Sequence, residues 1–275
     1  MHYTNILSWC FEKFAHFEFP PKIQRWIHYV YIKIFQVNLE EFDTLASYTT
    51  LNALFTRSLV KMRQFDKTPF HLIAPCDSIV MEFGQCQENY AMQVKGRNYH
   101  IDDFVKTKLG EDYCFVNFYL SPSDYHRFHA PLNLKVKHLE FIDGRLHSVC
   151  EKSLLRHKDV FVQNRRVVLE CEDEFGEPFY FVAIGALNVG KIQINFAPEV
   201  AQFKTSQTLE FKTPVMLKKG EEIGSFLMGS TIVLLSKNWQ YDLRVKERVY
   251  FGQCIAKHKT KNIQKNQRNG NEAND

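Results

Sequence analysis

Hydrophobic residues in the first 42 positions recur at helical spacing in two separate runs. The first run covers residues 6–14, Pro20 and Pro21 then interrupt the pattern, and the second run covers residues 23–35. Proline inside a helix removes a backbone hydrogen bond, so the pair separates the two runs. The pattern predicts two amphipathic helices, followed by a third from residue 39 to about residue 59.

Beyond residue 60 the pattern changes to short runs of β-branched and aromatic residues. Turn-forming residues separate these runs, as at Asp143-Gly144 and Phe175-Gly176. We therefore predict an α+β fold, with a β-rich catalytic core preceded by amphipathic N-terminal helices. The predicted strands lie within residues 71–80, 91–94, 114–120, 132–141, 160–171, 179–197 and 231–236.

These patterns divide the chain into three parts. Residues 1–60 form a helical region, residues 61–256 form the β-rich core, and residues 257–275 have almost no apolar content. A segment that cannot bury apolar surface does not offset the entropy of ordering it. We therefore expect residues 257–275 to form a disordered, charged tail.

Composition narrows the class of protein without naming it. The chain of 275 residues is 45% hydrophobic and 24% charged, which is ordinary for a globular protein. Its seven cysteines include no CxxC pair, so neither a disulfide framework nor a zinc ribbon is predicted. No uncharged run reaches the ~18–20 residues needed to span a bilayer. We expect a reducing compartment and no spanning helix.

The N-terminal helices allow two interpretations. Lys22, Arg25 and Lys33 accompany the aromatic side of the second helix. Such a helix can lie in the headgroup region of a membrane. The same stripe can also simply pack on the core, as most amphipathic helices do, and the pattern alone favours that reading.

The most informative motif is KGEEIGSFLMGST, from Lys219 to Thr231, which precedes an apolar run. A Gly-Ser pair before a strand is usually only a turn. However, glycine at position 229 lets the backbone bend until the Ser230 hydroxyl meets the preceding carbonyl. Attack there converts the amide into an ester. Loss of the serine α-proton then leaves dehydroalanine, which hydrolyses to a pyruvoyl cap and ammonia.

This chemistry needs a base beside the hydroxyl and a carboxylate that orients the base. The segment SPSDYHRFHAP offers His126 and His129, and APCDS offers Asp77. Histidines at this spacing are more often buried core residues, and that reading stays open from the spacing alone. Further metal ligands are not evident, so no metal is predicted.

The motifs APCDS, SPSDYHRFHAP, VGKI and KGEEIGSFLMGST, in this order, resemble the prokaryotic phosphatidylserine decarboxylase family. The resemblance extends over about residues 72–235. The family usually has leucine at the position of Met228, and often glycine where Ser78 follows Asp77. Methionine preserves volume and flexibility, so we expect processing to proceed.

The resemblance implies a role for each site residue. Ser230 is the nucleophile of self-cleavage between Gly229 and Ser230, and becomes a covalent pyruvoyl cofactor. His129 is the base, and Asp77 fixes its tautomer. His126 acts later, near the bound substrate. The implied activity converts phosphatidylserine into phosphatidylethanolamine and CO2 through a pyruvoyl Schiff base.

The resemblance also implies partners and a location. Self-cleavage gives two chains, residues 1–229 and 230–275, that stay together, and a homodimer is possible. A lipid substrate makes membrane contact by the N-terminal helices the favoured reading, with peripheral attachment to an anionic surface on the cytoplasmic side of a bacterial cell membrane. Arg127 and the helix lysines are candidates for steering anionic headgroups. No nucleic-acid partner is expected.

Three other functions compete. A serine hydrolase would use Asp77, His129 and Ser230, but the sequence has no GxSxG elbow and Ser230 leads into a β-branched run. A non-catalytic β-rich module on a membrane would need neither histidine. A soluble amino-acid decarboxylase of pyruvoyl type shares the chemistry, but gives no reason for the aromatic N-terminal helices.

Overall fold

The structure is a computed structural model that describes residues 3–187, 191–227 and 230–259. Its longest helices lie at the N-terminus and strands dominate the remainder, which confirms the predicted α+β class. The helices are α1 (Tyr3–His16), α2 (Pro21–Phe35), α3 (Leu51–Phe55), α4 (Ile101–Val105), α5 (Glu151–Arg156) and α6 (Val160–Gln163), with 3-10 turns at Leu45–Ser47 and Pro198–Gln202.

The strands that the structure describes follow the same chain order. They are β1 (His71–Ile73), β2 (Ser78–Gln85), β3 (Tyr90–Val94), β4 (Arg97–His100), β5 (Cys114–Leu120), β6 (Arg127–His129), β7 (Leu134–Ile142), β8 (Arg166–Asp173), β9 (Pro178–Ile184), β10 (Ile192–Ile194), β11 (Gln207–Leu217), β12 (Glu222–Phe226), β13 (Ser230–Ser236), β14 (Trp239–Tyr241), β15 (Arg248–Val249) and β16 (Cys254–His258).

An eight-stranded antiparallel sheet forms the body of the protein, in the order β11-β7-β8-β9-β13-β5-β2-β15. Strand β13 lies inside this sheet, and Val233 faces Val182 of β9 on one side and Asn117 of β5 on the other. All seven residues of β13 are buried. A strand covered on both faces requires a continuous apolar run, and the sequence TIVLL supplies it. Ser230 therefore begins a strand held on both sides.

The N-terminal helices pack into a small core of their own. Leu54 and Phe55 of α3 lie with Ala15 of α1 and Tyr31 of α2 in this cluster. Pro21 occupies the first turn of α2, where its missing N–H costs nothing, and Gln36 ends the helix with a left-handed φ of 54°. The two amphipathic helices predicted from the sequence are confirmed. In the described residues, no helix is long and apolar enough to cross a membrane.

The predicted third helix is wrong in length. Only Leu51–Phe55 is α-helical within residues 39–59. The Thr50 hydroxyl accepts a hydrogen bond from the Ala53 N–H at 3.0 Å, and this side-chain cap begins the helix late. The preceding Thr49-Thr50 pair, with its polar β-branched side chains, favours extended backbone.

Strand and tail predictions also change at their boundaries. The run 160–171 opens with helix α6 before β8, and the run 179–197 contains β9 and β10 as separate strands. Continuous apolar runs carry no periodicity that marks such breaks. Strand β16 extends to His258, one residue beyond Lys257, where the sequence predicted the tail to begin. Residues 260–275 of that tail lie outside the described residues.

Candidate active site

Two short strands bring the histidine and glycine-serine motifs together. Strand β6 pairs antiparallel with β12, with His129 opposite Glu222. The His129 N–H donates to the Pro75 carbonyl at 2.8 Å, so the motif APCDS lies against the same strand. Backbone hydrogen bonds therefore place three motifs, far apart in sequence, around one histidine.

Gly220 allows this close approach. Its N–H donates to the Ala130 carbonyl at 2.8 Å, and its φ of +82° lies in the left-handed region. A Cβ at this position would lie 2.0 Å from Cζ of Phe65. Only glycine fits both the backbone conformation and the space.

Both ring nitrogens of His129 have partners. Nδ1 lies 3.0 Å from the Gly220 carbonyl oxygen, and Nε2 lies 3.0 Å from the Tyr125 hydroxyl. The ring of Phe251 stacks on the imidazole, with centroids 3.8 Å apart. Burial lowers the pKa of His129 to about 4, against the Gly220 hydrogen bond and the charge of Glu222, which raise it. His129 is therefore a neutral base at physiological pH.

Asp77, to which the sequence assigned the tautomer of His129, does not bind His129 directly in the structure. Its carboxylate accepts hydrogen bonds from the Arg63 guanidinium at 2.5 and 3.0 Å and from the Phe251 N–H at 2.8 Å. The Gly220 carbonyl, rather than Asp77, lies against Nδ1 of His129. Asp77 nevertheless lies near enough for its charge to raise the pKa of His129 slightly.

Ser230 is the first residue of β13 and pairs with Leu120 of β5. It is buried, and its hydroxyl oxygen has no hydrogen-bond partner among the described residues. A buried hydroxyl without a partner is costly, which makes this atom a candidate for a chemical role. Gly229 and Met228, which complete the predicted cleavage site, lie outside the described residues.

His126 lies beside α3 in a fully buried position. Its Nδ1 donates to the Asp124 carbonyl at 2.8 Å, which leaves Nε2 as an acceptor, and Nε2 has no partner in the described chain. The Phe55 ring packs against the imidazole with centroids 3.8 Å apart. Burial, and then the positive charge of Arg57, lower the pKa of His126 to about 3. The ring of His126 is therefore neutral, and a negative charge beside it would favour its protonated form.

Sequence reasoning missed Arg57, which holds the loop that carries His126. The guanidinium is almost fully buried and donates to the carbonyls of Ser123 and Asp124 at 2.8 and 3.1 Å. Arg63 and Tyr125 were also missed as site residues, although Tyr125 stands inside the histidine motif. Nothing in the sequence around Arg57 distinguishes it from a surface arginine.

Arg127, a candidate for steering anionic headgroups, has partners within the protein. Its guanidinium binds the Glu222 carboxylate at 2.9 Å and the Thr56 carbonyl at 2.9 Å. It therefore ties β6 to β12 and to the end of α3. Within the described residues, no group of three or more His, Cys, Asp or Glu side chains is arranged to hold a metal ion.

An apolar cavity of about 440 Å³ lies between the N-terminal helices and the sheet. Tyr119 forms part of its wall and is the cross-strand partner of Thr231, the residue that follows Ser230 in β13. Phe55 is shared between this wall and His126. The lining is mostly aromatic and aliphatic, and includes Phe14, Trp26, Ile34, Phe35, Val149 and Ala186.

Comparison of the sequence with known proteins identifies its family. A family model described as phosphatidylserine decarboxylase matches residues 51–257. A phosphatidylserine decarboxylase proenzyme of Helicobacter pylori strain Shi470 is 43% identical, over 92% of this chain and 97% of the relative. A protein of the same name from Campylobacter jejuni is 37% identical, over 93% of this chain and 100% of the relative. The extent of these matches shows that the chain belongs to the phosphatidylserine decarboxylase family.

Proposed function

We propose that this protein decarboxylates phosphatidylserine to phosphatidylethanolamine and CO2 after cutting its own chain between Gly229 and Ser230. The observation that carries the proposal is the convergence of three motifs on buried residues at one end of the sheet. His129 there is a neutral base, and the Ser230 hydroxyl has no partner in the described chain. The proenzyme names of the relatives support a chain that is processed.

Self-cleavage begins with attack of the Ser230 oxygen on the Gly229 carbonyl carbon. His129 takes up the serine proton, since its ring is neutral and its Nδ1 proton is held by the Gly220 carbonyl. The peptide nitrogen leaves, and an ester joins the two parts of the chain. Elimination across the Ser230 Cα–Cβ bond then separates the chains and leaves a new N-terminus at position 230.

The surroundings of Ser230 fit a pyruvoyl group. The position is fully buried at the start of β13, with strand neighbours that keep its backbone fixed. The pyruvoyl carbonyl would condense with the substrate amine and accept the electron pair released with CO2. The task of the protein there is to exclude water and to hold donors and acceptors in place.

His126 is the proposed proton donor to the substrate carbon. In the structure described here its Nε2 is bare, because burial and Arg57 disfavour the charged ring. A substrate carboxylate beside the ring would favour protonation, since an opposite charge stabilises imidazolium. His126 would then hold its proton at Nε2 until the carboxylate departs as CO2.

The lipid part of the substrate fits the apolar cavity. Trp26 and Ile34 line it and are also 65% and 66% exposed, so the cavity and the outer surface of α2 form one apolar region. Residues of this kind leave water favourably at a membrane boundary, and Lys13, Lys22 and Lys33 would add attraction to anionic headgroups. We infer peripheral attachment through α1 and α2.

Mass spectrometry of the purified protein under denaturing conditions tests the proposal. We expect two chains, residues 1–229 and a 46-residue chain from 230 to 275 whose N-terminus resists Edman degradation. Ser230→Ala should remain a single inactive chain. An active preparation with one uncut chain would instead favour a serine hydrolase using Asp77, His129 and Ser230, and would overturn the proposal.

A further inference from the structure

Three consecutive carbonyls in the loop before β6 accept hydrogen bonds from the N-terminal helical region. The Tyr31 hydroxyl of α2 donates to the Pro122 carbonyl at 2.5 Å. The Arg57 guanidinium, which follows α3, donates to the carbonyls of Ser123 and Asp124 at 2.8 and 3.1 Å. Side chains from outside the sheet therefore hold the backbone of this loop.

The last of these carbonyls also sets the tautomer of His126. Nδ1 of the ring lies 2.8 Å from the Asp124 carbonyl oxygen, and an oxygen of this kind can only accept, so Nδ1 carries the proton. The same oxygen has two lone pairs and can accept from Arg57 and from His126 together. Nε2 is left as an acceptor that has no partner among the described residues. Its direction follows from the position of the loop.

Bonds within the loop form a closed turn. The Asp124 N–H donates to the Ser121 carbonyl at 2.9 Å, which is the hydrogen bond of a β-turn. The Ser121 N–H and hydroxyl both donate to the Asp124 carboxylate at 2.7 Å, and this carboxylate also binds Arg248 of β15. A turn closed in this way moves as a unit, so a displacement of Pro122 would also displace the carbonyl that binds His126.

The Tyr31 side chain is well placed to act as a fixed donor. It is 6% exposed, and its ring centroid lies 4.8 Å from that of Phe35 and 6.5 Å from that of Phe55. Burial raises the pKa of Tyr31, so the phenol keeps its proton at neutral pH. Tyr31 and Pro122 also lie together in the wall of the apolar cavity. The Tyr31 hydroxyl thus joins α2 to the turn that precedes His126.

We propose that Tyr31 and Arg57 are positioning residues for decarboxylation, which hold the turn 121–124 so that Nε2 of His126 meets the substrate. This inference rests on the proposed function, in which His126 acts on the bound substrate. His129 lies in β6, whose pairing with β12 holds it within the sheet. The N-terminal helical region should therefore support turnover, whereas self-cleavage should proceed without these two contacts.

Tyr31→Phe tests the proposal, because it keeps the ring and its packing and removes only the hydroxyl. On a short-chain, water-soluble phosphatidylserine we expect kcat to fall by about tenfold with little change in KM, since a small displacement of a reacting group has a large effect on rate. Self-cleavage and vesicle binding should match those of wild type. Tyr99→Phe is the matched control, since Tyr99 is also buried and its hydroxyl has no partner in the described chain. It should keep the wild-type kcat.

Arg57→Lys is a second variant that acts on the same turn. Lysine keeps the positive charge but replaces the planar fork of donors by a flexible ammonium group, so the turn should be held less firmly. We expect kcat to fall at least as far as in Tyr31→Phe, again after normal self-cleavage. If Arg57→Lys does not fold, Tyr31→Phe alone decides the proposal.

The outcomes separate positioning from other roles of Tyr31. A wild-type kcat in Tyr31→Phe would overturn the proposal. A defect confined to long-chain substrate in vesicles would also overturn it, and would assign Tyr31 to membrane attachment. Parallel losses of self-cleavage and kcat would indicate a general structural role and would overturn it as well. Absence of decarboxylation by the wild-type protein would instead overturn the proposed function itself.

Discussion

The Phe55 ring lies 3.8 Å, centroid to centroid, from the imidazole of His126, and Phe55 also lines the apolar cavity. One side chain thus contacts both the space proposed for the lipid and the proposed proton donor. Phe55→Leu removes much of this contact while it keeps an apolar side chain. A small displacement of a reacting group has a large effect on rate.

We therefore expect Phe55→Leu to cut itself normally and to decarboxylate long-chain phosphatidylserine about tenfold more slowly, mainly through a lower kcat. Phe161→Leu is the matched control, because Phe161 is equally buried but packs against Tyr99 and Phe104. The measurement is steady-state kinetics on the mature enzymes. Equal kcat values for the two variants would show that Phe55 only fills space.

Substitutions of the two histidines should affect different steps, self-cleavage for His129 and substrate turnover for His126. His129→Ala removes the base and should leave the chain uncut. His126→Ala should still be cut, at least in part, because His126 is assigned to the bound substrate, but it should turn over substrate poorly. Gel electrophoresis and release of labelled CO2 measure the two steps. An uncut His126→Ala together with normal processing of His129→Ala would reverse the assignments.

The ion pair of Arg63 with Asp77 should contribute more to the free energy of unfolding than the ion pair of Arg63 with Glu41. Arg63→Met leaves the buried Asp77 carboxylate without its cation, which should lower the free energy of unfolding by about 3 kcal/mol. Glu41→Gln alters an exposed partner of the same guanidinium and should cost less than about 1 kcal/mol.

Urea denaturation in a Ser230→Ala background gives both values on an uncut chain. We also expect Arg63→Met to slow self-cleavage in the Ser230 protein, because Asp77 holds Phe251 against His129. Similar losses of stability in Arg63→Met and Glu41→Gln would contradict the assignment of Arg63 to a buried pair.

Acid should destabilise the uncut protein through His129. Its pKa falls from 6.5 to about 4 on folding, so the unfolded chain binds more protons below pH 6.5. The contribution to stability is complete above pH 6.5 and is lost as the pH falls toward 4. Between pH 7.5 and 5, Ser230→Ala should lose on the order of 2 kcal/mol more than Ser230→Ala/His129→Gln. Equal losses, measured by urea denaturation, would show that His129 titrates normally.

Membrane attachment should depend on the exposed face of α2. Each apolar residue that leaves water contributes roughly 1–3 kcal/mol, so Trp26→Ser/Phe35→Ser should bind anionic vesicles at least about tenfold more weakly. Met216→Ser is the control, since Met216 is 67% exposed on the edge strand β11.

A flotation assay measures vesicle binding, beside decarboxylation of long-chain and short-chain substrates. Self-cleavage of the double variant should continue, because that chemistry is internal to the sheet, and turnover of a short-chain, water-soluble phosphatidylserine should suffer much less. A double variant that floats with vesicles as well as wild type would show that α2 packs on the core and does not contact the membrane.

The sequence predicted the strand that begins at Ser230 better than the contacts of the candidate site residues. The pattern of apolar runs located strand β13, and the motifs singled out Asp77, His126, His129 and Ser230 as candidates. The sequence assigned the tautomer of His129 to Asp77, whereas in the structure a backbone carbonyl, which every residue carries, lies against the histidine Nδ1. Motif spacing holds no information on which carbonyl will lie there.

Hydrogen bonds between residues far apart in the sequence could not be predicted either. Arg57 binds carbonyls 66 and 67 residues away, and such contacts depend on how α3 docks against the histidine loop. The predicted helix over residues 39–59 failed for a local reason, the cap supplied by Thr50. Apolar periodicity reports which face of an element is buried, but it does not report where side-chain hydrogen bonds begin or end the element.

Strand β13 has ladders on both sides, and this changes what a cut before it does to folding. The 46-residue chain would remain bound non-covalently through the pairing of β13 with β5 and β9, as a separate subunit would. Unfolding of the uncut chain is unimolecular and reversible in principle. Once the chain is cut, refolding requires two molecules to meet, so it becomes second order and depends on protein concentration. After the cut, the stability of the protein would therefore depend on the rate of unfolding, because chains that have unfolded and separated would not readily reassemble.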